Sequence, residues 1–182
     1  MSTTEATVLS TGTWTIDPAH SSVSFAVRHL GVAKVRGRFG TFEGAVTVAD
    51  EPLASTVTAT IDASSIDTGV PDRDGHLKSP DFLDVATYPQ ITFQSTSVEA
   101  VGSDYKVVGD LTFHGTTKSV TLALEFNGVS PDPWGGTRAG FSASTEISRG
   151  EYGLSFNMPL DGGGVMVGDK IKIELEIEAV KA

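Results

Sequence analysis

Apolar and polar residues alternate without a break through KIKIELEIE (170–178). Ile171, Ile173, Leu175 and Ile177 fall on one side, and Lys170, Lys172, Glu174, Glu176 and Glu178 on the other. A period of two predicts a strand with one face buried. The same rhythm runs through Val57, Ala59, Ile61 and Ala63, and through Val120, Leu122, Leu124 and Phe126. Tyr105, Val107, Leu111 and Phe113 extend it, as do Ile91 with Phe93 and Phe141 with Ile147. Strands are expected near 20–29, 36–49, 54–63, 89–101, 104–113, 117–129, 138–149 and 170–180. Turn-forming clusters at 101–104, 113–118, 127–136 and 161–164 separate the later ones. Short turns between successive strands predict an antiparallel meander. The fold class is all-β with a minor helical part, one domain over 13–182 behind a flexible segment at 1–12. Alternation fits a two-sheet sandwich and an up-and-down barrel equally, because both bury one face.

One stretch breaks the rhythm. RDGHLKSPDFLD (73–84) gathers Arg, Asp, His and Lys in a chain with only four histidines. Asp72 next to Pro71 suits a helix start, with Asp72 as the cap. Asp74 then lies four residues before Lys78, and Asp72 four before His76, both favourable helical pairs. Pro80 disfavours helix at Ser79, which is expected to cap a second short helix whose Phe82 and Leu83 pack inward. Two helical turns between the third and fourth strands account for most of these charges.

Charge narrows the partners. Lys and Arg number 13 against 23 Asp and Glu, a formal net charge of −10. Such a chain repels nucleic acid and anionic membranes unless a local basic patch forms. The one basic cluster, RHLGVAKVRGR (28–38), is short and interrupted by glycines, and reads first as a solvated strand edge or loop, with an anionic head-group contact as the alternative. There is no cysteine, so disulfides and thiolate chemistry are excluded. MSTTEATVLSTGT at the N-terminus lacks the basic and apolar regions of a secretory signal. No apolar run approaches the roughly 18 residues of a membrane helix. A cytoplasmic protein without stable membrane insertion is expected.

Catalytic motifs are weak. DGGGVMVGDK (161–170) lacks the Gly-Lys-Ser/Thr ending of a phosphate loop and precedes a strand, so it reads as a loop. His20, His29, His76 and His114 show no metal-ligand spacing, and no metal is expected. No Gly-x-Ser-x-Gly occurs. An enzyme acting on a lipid would have Asp74 or His76 as acid and base, with Asp17 and His20 as a second pair. His29 differs in continuing the apolar frame of Val23, Phe25 and Val27. Its imidazole is either a hydrogen-bonded core group or a polar contact for a ligand in an apolar interior.

Seven ordered segments carry a resemblance: WTIDPAHSSVSFAVRHLG (14–31), GRFGTFEG (37–44), SSIDTG (64–69), RDGHLKSPDFLDVATYPQITFQST (73–96), GDLTFHGTTK (109–118), WGGTRAGFSA (134–143) and ISRGEYGL (147–154). Together they resemble the YceI family of lipocalin-like, polyisoprenoid-binding proteins. The resemblance implies an eight-stranded antiparallel β-barrel with a helical segment beside it, often dimeric. It also implies a non-catalytic carrier of a long apolar molecule: a polyisoprenoid, an isoprenoid quinone or a fatty-acid derivative. No cofactor is implied. With the lumen supplied, the alternation selects its lining: Phe25, Val27, His29, Val57, Ile61, Ile91, Phe93, Leu111, Phe113, Leu122, Leu124, Phe141, Ile173 and Leu175. Arg36, Arg38, Arg73 and His76 are candidates for the rim or a head-group contact.

Overall fold

A computed structural model describes residues 9–157 and 166–182. The glycines of 161–164, expected to form a loop, lie outside the described residues. The strands in chain order are β1 (Gly12–Ile16), β2 (Ser22–His29), β3 (Ala33–Phe39), β4 (Phe42–Val48), β5 (Thr56–Asp62), β6 (Ile66–Asp67), β7 (Gln90–Val101), β8 (Asp104–Phe113), β9 (Thr116–Pro131), β10 (Thr137–Ser148) and β11 (Val167–Lys181). Among the described residues there is one α-helix, α1 (Pro71–Lys78), between β6 and β7.

These segments close into an eight-stranded antiparallel β-barrel. β1 pairs with β4 on one side and with β11 on the other, so the ring β1-β4-β5-β7-β8-β9-β10-β11 has no free edge. Closure removes the unpaired N–H and C=O rows that a sandwich leaves at its margins. β2 continues β1 along the same edge of β11, Ile16 facing Ala179 and Val23 facing Leu175. The 3-10 turn Pro18–His20 interrupts this line, which is why the first strand after it starts at Ser22 rather than 20. Asp17 caps that turn by accepting from the Ala19 N–H at 3.0 Å. β3 and β4 are the expected strand at 36–49, begun earlier at Ala33 and broken at Gly40 and Thr41. β6 extends β5 in the same way, pairing with the end of β3.

The helical insert differs from the sequence expectation. α1 begins two residues earlier, with Val70 rather than Asp72 at the cap position and Pro71 in the first turn, where its missing N–H costs nothing. Asp74 does not pair with Lys78. It turns back to accept from the Thr68 N–H at 2.9 Å and from the Thr68 hydroxyl. The second helix is absent: Ser79 starts a turn closed by the Phe82 N–H donating to its carbonyl at 3.0 Å. Phe82 and Leu83 nevertheless pack inward, both buried against Ile91, Phe113, Ile147 and Leu154. At the opposite end Trp14, Val48, Ala139, Phe141 and Ala179 form a tight plug.

Candidate functional site

Between the plug and α1 runs a cavity of about 370 Å³, within the roughly 300–1,000 Å³ typical of small-molecule sites. Each of the fourteen alternating positions named above lies on its wall. Val35, Phe39, Leu77, Val120 and Ile171 join them. The first two were readable as the inward frame of β3. Leu77 had no comparable signal, because the helix contributes a single apolar side chain to the wall.

Two large rings owe their placement to glycine. Phe25 lies opposite Gly37 across β2 and β3, and a Cβ on Gly37 would come within 2.4 Å of the Phe25 ring. Phe93, paired with Leu111, lies diagonally over Gly109, where an added Cβ would sit 2.4 Å from the ring edge. Both rings fold against a bare backbone rather than across the lumen.

Polar lining collects at the α1 end. His29 faces the cavity and has no side-chain partner among the described residues. Arg73 reaches the wall and is steadied by Thr68: its Nε donates to the hydroxyl and one terminal nitrogen to the carbonyl, each at 2.8 Å. His76 also borders the cavity. Its Nε2 lies 2.9 Å from Asp81, and its ring meets Phe82 and Phe156 edge-on, centroids 5.0 and 5.3 Å apart. Phe82 and Phe156 meet each other in the same manner at 5.1 Å. Three rings thus join α1 to the segment after β10.

Arg36 and Arg38 do not belong to this site. Val35, Gly37 and Phe39 take the inward positions of β3, so strand geometry sends both arginines outward into solvent. Arg38 is 70% exposed and lies 3.7 Å from Asp67.

Sequence reasoning missed Arg149. It is only 5% exposed and borders the cavity. Its guanidinium donates to the carbonyls of Leu154 (2.6 Å), Phe156 (2.9 Å), Gly168 (2.9 Å) and Val167 (3.2 Å). Burial lowers its pKa, offset in part by the nearby Asp169 carboxylate. A lone arginine at a strand end carries no sequence signal of burial, although it sits in the ISRGEYGL segment.

The two acid–base pairs do not converge. Asp74 bonds Thr68 and does not meet His76. Asp17 and His20 do meet, at 2.8 Å, but beside Glu178, some ten residues along β11 from the cavity's polar end. With Glu178 they offer ligand atoms within 4.8 Å of one another. Arg138 already satisfies that carboxylate pair, donating to Asp17 Oδ2 and Glu178 Oε2 at 2.7 Å each and to Asp132 at 3.0 Å. A guanidinium seated on these oxygens opposes a second cation there. The Arg138 bond, aided by His20, holds the Asp17 carboxyl down to about 2.

A closed barrel around one elongated apolar cavity invites comparison with known proteins. The YceI-like domain family matches residues 14–179. The chain belongs to the YceI family. A UPF0312 protein of Staphylococcus aureus (strain USA300) is 45% identical over 168 residues, 91% of this chain and 95% of the relative. Protein YceI of Escherichia coli O157:H7 is 43% identical over 140 residues, covering 76% and 73%. Among solved structures, Burkholderia cenocepacia BcnA superposes with a TM-score of 0.79 at 24% identity, covering 90% of this chain and 98% of that one. A polyisoprenoid-binding domain from Saccharophagus degradans gives a TM-score of 0.72 at 18% identity, covering 93% and 98%. At these identities the two structures establish the YceI barrel as the shared fold.

Proposed function

We propose that this YceI-family barrel binds a long apolar molecule in its lumen without transforming it. The ligand class is a polyisoprenoid, an isoprenoid quinone or a fatty-acid derivative. One observation carries the reading: an apolar cavity runs from the Trp14 plug to α1, with its polar groups gathered at one end. That asymmetry suits a molecule with a long tail and a small polar head. The polyisoprenoid-binding designation of the Saccharophagus degradans neighbour points the same way. Burying apolar surface contributes about 0.8 kcal/mol per CH₂ equivalent, so one five-carbon isoprene unit contributes roughly 3–4 kcal/mol before binding costs. A few units hold such a chain without ionic contact.

The test is extraction of the purified protein into organic solvent and mass spectrometry of the extract. The expected result is a long-chain lipid near one per barrel, unchanged after prolonged incubation. Phe93→Asp and Leu124→Asp place an unpaired charge in the lumen. Each variant, if folded by circular dichroism, is expected to lose at least about tenfold in retained lipid. An empty extract from wild type, turnover of the lipid, or full retention by both folded variants would each overturn the reading.

A further inference from the structure

The chain carries a formal charge of −10, yet nearly half of its 13 Lys and Arg converge on one outer face. Arg28 on β2, Lys34, Arg36 and Arg38 on β3, and Lys170 and Lys172 on β11 are all exposed. RHLGVAKVRGR supplies the first four of these, and Lys170 and Lys172 lie more than 130 residues further along the chain. Strand pairing brings them together. Ala26 sits between Arg36 on one side and Lys172 on the other, and Arg28 faces Lys34. With neighbouring strands about 4.8 Å apart, the three-strand patch is on the order of 10 Å wide at the backbone, and its long side chains spread further. Acids temper only part of it: Asp67 lies near Arg38 and Glu174 near Lys172, each at 3.7 Å. Asp169 is engaged by the Ser148 hydroxyl and the Gly150 N–H, and Glu146 faces Lys172 from β10. Arg28, Lys34 and Arg36 form no ion pair among the described residues.

An apolar tip crowns this face. The β2–β3 turn exposes Val32 at 85% and Leu30 at 43%. Leu30 adopts the left-handed region, φ 56°, next to Gly31 at φ 72°. A leucine is disfavoured there, where glycine or asparagine would relieve the strain. The tip adjoins the polar end of the cavity: Arg28 and His29 border the lumen, and the Leu30 N–H donates at 2.8 Å to the carbonyl of Met166, another lining residue.

We propose that the β11–β2–β3 face with the Leu30–Val32 tip is a docking surface for an anionic phospholipid bilayer, bringing the polar end of the lumen against the membrane. Cations engage the head groups while the two aliphatic side chains enter the interfacial layer. Nucleic acid fits less well, because the patch offers no aromatic ring for base stacking and carries aliphatic side chains at its tip. An apolar ligand then passes between bilayer and lumen without crossing bulk water. Docking needs no bound ligand, so its failure would leave the lumen reading standing, and an empty lumen would leave docking standing.

Vesicle co-sedimentation tests it. Wild type is expected to bind vesicles of phosphatidylcholine with about a third phosphatidylglycerol and not phosphatidylcholine alone, with binding lost in about 1 M salt. The double variant Arg36→Glu/Lys172→Glu is expected to lose at least about tenfold in partition. Val32→Asp loses several-fold. Lys106→Glu/Lys118→Glu, the same change in net charge at exposed sites outside the patch, keeps wild-type binding. No sedimentation with anionic vesicles, equal binding to neutral ones, equal loss in both double variants, or tighter binding to a DNA duplex than to vesicles would each overturn it.

Discussion

Gly109 has no side chain, and that is its contribution to the lumen. A Cβ there would sit 2.4 Å from the Phe93 ring and 2.7 Å from the Gln94 carbonyl, the second a backbone atom that cannot swing aside. The ring can move only inward, across the cavity. Gly109→Ala is therefore expected to destabilise the barrel by about 1–3 kcal/mol through overpacking and to lower lipid capacity. Chemical denaturation and the extraction assay check the two effects. Unchanged capacity in a folded variant would show that Phe93 has another way out. Gly37 beneath Phe25 makes the same argument on β3, with Thr68 as a further neighbour.

At the level of elements, strand alternation was legible and closure was not. The frames of Phe25, Ile61, Phe93, Leu122 and Ile173 could be read from period two because each strand has one wet face. Placing Arg36 and Arg38 at the rim departs from that period, since β3 turns Val35 and Phe39 inward and the two arginines outward. Joining β1 to β11 depends on pairing between the two ends of the chain, and no local pattern reports it. Burial of Arg149 is likewise a tertiary fact. Its four carbonyl acceptors belong to two segments, 154–156 and 167–168, which it ties to the end of β10. Arg149→Met removes the buried charge but leaves those carbonyls without their donor. The expected cost is about 2–4 kcal/mol, with faster amide exchange concentrated at 154–157 and the start of β11. Exchange rising uniformly over the barrel would instead mean that Arg149 acts on global stability alone.

Across the whole molecule, the ring closes where β1 meets β11, and an ion network sits beside that seam. Arg138 on β10 joins Asp17 after β1, Glu178 on β11 and Asp132 in the β9–β10 turn. The direction of its pH dependence follows from the shifted groups. Asp17 is drawn from 3.8 down to about 2 by Arg138 first and His20 second. Asp132 is lowered too, chiefly by the Gly136 N–H and then by Arg138, while Arg138 itself is raised, so it stays charged. A carboxyl depressed on folding stabilises the native state above its unfolded pKa, and that contribution disappears as pH falls through the folded one. For Asp17 the loss therefore runs from about pH 4 to about pH 2. Arg138→Ala removes the main source of the Asp17 shift and leaves Asp17, Glu178 and Asp132 clustered without their cation. Its urea midpoint is expected to fall below wild type at pH 7, with the gap closing as pH drops from 4 towards 2. The barrel-closing pairs of β1 and β11 are backbone bonds, so the variant should still fold. A gap that stays constant over that acid range would mean that Arg138 acts through its packing against Trp134, 5.7 Å from the ring centroid, and not through the carboxylates.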